Sequence, residues 1–95
     1  MAKRRLVISR SAYLDIDRIV EFNNTRNQSD TYSKKIIKGL FSYFNVLIVN
    51  PNIGIKTNDP KVLLLVWDLF YILYEVSNNL IIILSIYHQK ENLKR

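Results

Sequence analysis

The chain has one histidine, His88, at the end of an isoleucine-rich run. An imidazole there titrates near neutrality and suits general acid–base transfer, with Tyr71 and Lys90 as candidate companions. Tyr71 also offers a flat ring for stacking on a base and a phenol to donate. Each has a plainer reading: His88 as a polar residue where a strand leaves the core, Tyr71 as packing. Cations gather in two places. Lys3, Arg4, Arg5 and Arg10 crowd the start, and Lys56 and Lys61 lie in a loop and at its end, so both sets are candidates for contact with nucleic acid or another target. Lys34, Lys35 and Lys38 read more simply as the solvated side of a helix. With no cysteine and a single histidine there is no metal site to assemble, and only two glycines leave no phosphate-binding loop. Neither a metal nor a cofactor is expected.

These groups must be positioned by the stretch from Phe70 to His88, two apolar runs of strand length joined by Ser77-Asn78-Asn79. Asparagine enters positive φ cheaply, so Asn78-Asn79 predicts a two-residue hairpin turn. With Ser77 opposite Leu80, Val76 faces Ile81, Tyr74 faces Ile83, Ile72 faces Ser85 and Phe70 faces Tyr87 on one side of the sheet. Leu69, Tyr71, Leu73, Glu75, Ile82, Leu84, Ile86 and His88 then share the other side. Both sides are apolar, and a chain this short covers one of them with its own helices. The other side is left for a partner, with Leu69, Tyr71, Leu73, Leu84 and Ile86 as its expected contacts.

The preceding chain supplies those helices. Arg4 to Ser9 reads as a short strand, and Ser9 or Ser11 can cap a helix whose stripe is Ala12, Ile16, Ile19, Val20 and Asn23, ending near Asn24. Asp15 falls where the positive end of the helix dipole favours it. Asn24 to Ser29 reads as a connection. A second helix begins near Ser29 and Asp30, with Ile37, Phe41, Phe44 and Ile48 on its stripe and Ile36, Leu40 and Leu47 widening it. Asn50-Pro51 stops that helix. Asn52 to Pro60 reads as loop, Val62 to Trp67 as strand, and Asp68-Leu69 as turn. The sum is one α+β domain over residues 1–95, ordered β-α-α-β-β-β, with a helical hairpin on one face of a small, mainly antiparallel sheet.

The net charge is +6, and residues 1–50 hold nine Lys/Arg against four Asp/Glu, so acidic or polyanionic partners are favoured. The basic opening lacks the apolar core of an export signal, and Asp68, Glu75 and the asparagine turn interrupt the long apolar run before it could span a bilayer. The absence of cysteine suits a reducing cytoplasm, the expected compartment.

Three groups of residues carry a resemblance. They are Ser9, Ala12, Asp15, Ile16, Ile19 and Phe22; then Leu47, Pro51 and Gly54, a Leu-x-x-x-Pro-x-x-Gly pattern; then Tyr74, Glu75, Ile81 to Ile83, Ile86 and His88. In that order they resemble the RelE/ParE superfamily of bacterial toxins from type II toxin–antitoxin pairs, agents of growth inhibition and plasmid stabilisation. The resemblance implies a cognate antitoxin as partner, within a hetero-oligomer or beside a homodimer. It implies one of two targets. RelE and YoeB-like members are endoribonucleases that cut messenger RNA on the ribosome, with basic and acid–base groups on the sheet. ParE-like members poison DNA gyrase without a catalytic set. The ribonuclease branch commonly carries Arg where this chain has Tyr71, and its YoeB-like chains end in His-Tyr where this one has His88-Gln89. Losing a cation that would stabilise charge on the scissile phosphate favours the ParE-like side. The ribonuclease using His88, and an inactive partner-binding relic, are the alternatives.

Overall fold

The computed structural model describes residues 4–27 and 31–89, ordered β1 (Arg5–Ile8), α1 (Arg10–Asn27), α2 (Thr31–Val49), β2 (Ile55–Lys56), β3 (Val62–Trp67), β4 (Phe70–Ser77) and β5 (Leu80–His88). The expected α+β order holds, with one addition: two residues of the predicted loop, Ile55 and Lys56, pair with Leu64 and Leu63 as an edge strand. The sheet runs β1-β5-β4-β3-β2, with β1 parallel to β5 and every other pair antiparallel. No described helix is long and apolar enough to cross a membrane.

Ser9 makes the joint between β1 and α1. Its Oγ accepts the Ala12 N–H (3.1 Å), capping the helix, and donates to the Leu84 carbonyl of β5 (3.1 Å). The helix then continues through Asn27, past the expected end near Asn24, since no glycine or proline interrupts residues 23–27. The expected second-helix start at Ser29 and Asp30 lies outside the described residues. α2 is rotated from the predicted stripe. Ile36, Leu40, Phe44 and Leu47 are buried, Ile37 and Ile48 partly so, and Phe41 is 41% exposed. The rotation brings Gly39 against Trp67, so close that an added Cβ would sit 2.7 Å from its ring, and lets Tyr43 stack on the same indole.

The β4–β5 turn forms as expected, with Asn78 at φ 51, Ser77 opposite Leu80, Val76 opposite Ile81 and Tyr74 opposite Ile83. Beyond that point the predicted register is wrong. A bulge makes Leu84 the extra residue, so Leu73 pairs with Ser85, Ile72 with Ile86, Tyr71 with Tyr87 and Phe70 with His88. The physical reason is the core: without the slip the Ser85 hydroxyl would lie under the helices and Ile86 would face outward. With it, Ile86 joins Ile72, Tyr74, Ile81 and Ile83, all at 0% exposure, beneath α1 and α2.

The bulge also changes what lies beside β5. β1 covers that strand only from Leu80 to Ile83, and α1 takes over along the same edge. Asp15 Oδ2 accepts the Ile86 N–H (2.9 Å) and Arg18 donates to the Ile86 carbonyl (3.2 Å), while the two side chains bond each other (3.1 Å). An ion pair on the helix thus satisfies the peptide groups that a longer β1 would have paired.

Candidate functional site

Alternation along the strands sorts the sheet residues into two sets. Leu6, Ile8, Leu63, Leu65, Trp67, Phe70, Ile72, Tyr74, Ile81, Ile83 and Ile86 lie on the helix side, where the buried core is found. Val7, Leu64, Val66, Tyr71, Leu73, Ile82 and Tyr87 lie on the open side, where no described element is packed over them. Val7 (41%) and Val66 (43%) are exposed, and the others are half-buried by one another. Tyr71 and Tyr87 meet edge to face at 5.6 Å, near the β3–β4-turn end of this surface.

His88 does not join Tyr71. The bulge turns it to the helix side, where its ring meets Phe70 edge-on at 5.2 Å, at the end of a row formed by Tyr43, Trp67 and Phe70. The two groups expected to share a face are therefore on opposite faces, and the register that placed them together is corrected. Lys90 and Lys3 lie outside the described residues. Among the expected partner contacts, Tyr71 and Leu73 are on the open face and Leu69 is exposed (43%) in the β3–β4 turn. Leu84 occupies the bulge, outside the alternation. Ile86 is in the covered core, so its expected role as an outward contact is overturned.

The cations do not converge either. Arg4 donates to the Ile48 carbonyl (3.0 Å), placing a positive charge near the end of α2 where free carbonyls favour it. Arg5 pairs in register with Leu80 and so belongs to the open face. Arg10 is exposed at the start of α1. Lys56 lies on the helix side of β2, and Lys61 is exposed in the turn before β3, its N–H bound to Asp59 Oδ1 (2.9 Å).

One buried polar group stands apart. The Tyr74 hydroxyl donates to the Pro51 carbonyl (2.8 Å) and accepts the Gly54 N–H (2.9 Å), pinning the turn between α2 and β2 to the core. Gly54 is required by that closeness, since a Cβ would fall 2.6 Å from the hydroxyl. Burial raises the phenol's pKa above its ordinary value of 10.0, against the Gly54 N–H, which lowers it. The Pro51, Gly54 and Tyr74 pattern that carried part of the sequence resemblance is thus one structural contact. Sequence reading missed four of the open-face residues: Val7, Leu64 and Val66, although their signal was present as alternate positions of β1 and β3, and Tyr87, which the register without the bulge had put beside Phe70 on the other side. It also missed the Asp15–Arg18 pair on Ile86, whose signal was only a common i, i+3 spacing.

Among the described residues no group of His, Cys, Asp and Glu is arranged to hold a metal ion. What this site offers is a largely apolar surface with an aromatic pair toward one end and few charges.

The family model described as the ParE toxin of type II toxin–antitoxin systems, parDE, matches residues 6–93. A solved structure titled "Chromosomal ParDE TA system from P. aeruginosa" contains a similar chain, with a TM-score of 0.75 at 20% identity, over 90% of this chain and 96% of that one. At that identity the likeness concerns the fold. No curated protein matches the sequence.

Proposed function

The chain belongs to the ParE toxin family of type II toxin–antitoxin systems, and we propose that it arrests growth by acting on DNA gyrase and is neutralised by its cognate antitoxin. The observation that carries the choice of target is the separation of His88 from Tyr71. A ribonuclease built on this scaffold needs an acid–base group, a cation for the scissile phosphate and an RNA path on one surface. Here the imidazole packs against Phe70 on the helix side, and among the described residues the open face carries tyrosines, aliphatic residues, Ser85 and Glu75, with Arg5 as its cation at the β4–β5 turn end. Such a surface suits protein contact better than phosphodiester chemistry, because aromatic and aliphatic groups reward exclusion of water and do not stabilise developing charge.

The test is a supercoiling assay with purified gyrase and relaxed plasmid, run beside a translating-ribosome assay that maps messenger RNA ends. The purified chain is expected to inhibit supercoiling or to leave broken DNA, and to create no new ends in the ribosomal A site. A-site cleavage without an effect on gyrase overturns the proposal.

A further inference from the structure

Consecutive carbonyls of a regular strand turn to opposite neighbours, so a residue beside the strand meets only every second one. Ser9 meets two in a row. Its N–H donates to the Ile83 carbonyl (3.0 Å) and its hydroxyl to the Leu84 carbonyl (3.1 Å). Both carbonyls reach the same edge because Leu84 is the bulge residue, with no residue of β4 opposite it. In an unbulged strand the Leu84 carbonyl would bond to β4; here Ser9 takes it. The same hydroxyl oxygen accepts the Ala12 N–H (3.1 Å), and Ala12, fully buried, is small enough to let the first turn of α1 lie this close to β5.

Two registers are open to β5 beyond Leu84. In the bulged one Ile86 meets the helices, Tyr87 pairs with Tyr71 and His88 with Phe70. In the unbulged one Ser85 takes the place opposite Ile72, and Tyr87 and His88 exchange faces. The Asp15–Arg18 pair does not choose between them, because whichever residue lies opposite Ile72 presents its N–H and C=O to α1. Two features do choose: the burial of Ile86 in place of Ser85, and the bond from Ser9 to the carbonyl that the bulge frees.

We propose that Ser9 is a positioning residue that, besides capping α1, holds the bulge at Leu84 and so fixes the faces on which Tyr87 and His88 stand. The consequence reaches the surface chemistry, since the unbulged register brings the imidazole to the side of Tyr71 and removes Tyr87 from it. The inference concerns ring facing and is independent of the choice of target.

The test first removes the other determinant. Ser85→Ile gives either register an isoleucine opposite Ile72, so burial no longer decides. In that background Ser9→Thr keeps both acceptor and donor, Ser9→Asp caps a helix but has no proton to donate, and Ser9→Gly is a tolerated cap without a side chain. Proton NMR reads the bulged register from the ring contacts of Tyr71 with Tyr87 (5.6 Å) and Phe70 with His88 (5.2 Å). Ser85→Ile alone and with Ser9→Thr is expected to keep both contacts. Ser9→Asp and Ser9→Gly should shift the balance about 10- to 100-fold toward the unbulged form, replacing those contacts with one between Tyr87 and Phe70. Thermal unfolding identifies a double variant that fails to fold. The mildest variant, Ser9→Gly in the otherwise unchanged chain, keeps Ile86 as a determinant, so its ring contacts should stay while amide exchange at Ser85 quickens about 10-fold. Loss of the contacts in Ser85→Ile alone, their persistence in the double variants with Ser9→Asp or Ser9→Gly, or unchanged exchange at Ser85 in Ser9→Gly overturns the proposal.

Discussion

On one face of the sheet Ile72, Tyr74, Ile81, Ile83 and Ile86 lie beneath α1 and α2, fully buried; on the other Tyr71, Leu73, Ile82 and Tyr87 have no described element packed over them. The residue types are nearly the same. Two tyrosines three positions apart on β4 show what differs. Tyr74 has both hydroxyl functions engaged inside the protein, with Pro51 and Gly54, whereas Tyr71 touches Tyr87 and remains half-buried. The covered face is closed in packing and in hydrogen bonding. The open face is largely apolar without being closed.

The widest gap between the faces should appear in the cost of truncation. Ile83→Ala opens a cavity in a fully buried position and should lower stability by about 3 kcal/mol, while Leu73→Ala should cost about 1 kcal/mol or less in the free toxin. Urea unfolding of the two variants measures both, and equal losses would erase the distinction. Next in size is Tyr74→Phe, which leaves the Gly54 N–H and the Pro51 carbonyl short of a partner and should cost about 1–3 kcal/mol. Because burial holds this phenol's pKa above 10.0, the folded state keeps a proton that the unfolded state has released. Its contribution is intact below pH 10 and is lost as pH rises toward the folded-state pKa. Alkaline unfolding should therefore be less steep in Tyr74→Phe than in the unchanged protein, read as midpoint against pH. Smallest is Tyr71→Arg, expected to stay within about 0.5 kcal/mol because a long cation can lay its stem on apolar surface and keep its head in water. Loss of cooperative unfolding in that variant would move Tyr71 into the core and collapse the comparison.

Most of this arrangement was legible in the sequence. The asparagine turn, the strand before it and the Pro51 stop were set by local chemistry, and Ser9 acted as the cap its position suggested. The bulge at Leu84 was not legible, because no turn residue marks it. It answers a tertiary demand, that Ile86 and not Ser85 meet the helices, and neither residue announces that demand alone. From the bulge onward every facing inverted, which is why Ile86 moved from the expected contact surface into the core and why His88 parted from Tyr71. The two-residue β2 escaped notice because a pair of ladder contacts leaves no periodicity to read. The Asp15–Arg18 pair escaped because its partner, a peptide group of β5, is a backbone feature that side-chain patterns do not encode.

In the gyrase reading His88 has no proton to transfer, and one measurement tests this directly. The unchanged chain and His88→Ala are induced in the same strain, and growth, DNA breaks and messenger RNA ends are followed together. A general acid–base group contributes about 10²- to 10⁴-fold to its reaction, far more than one edge-on ring contact supplies. The expected result is growth arrest nearly intact in His88→Ala, with DNA breaks under both inductions and no new ends in the ribosomal A site. Codon-positioned messenger RNA cleavage that appears on induction and vanishes in His88→Ala would contradict it.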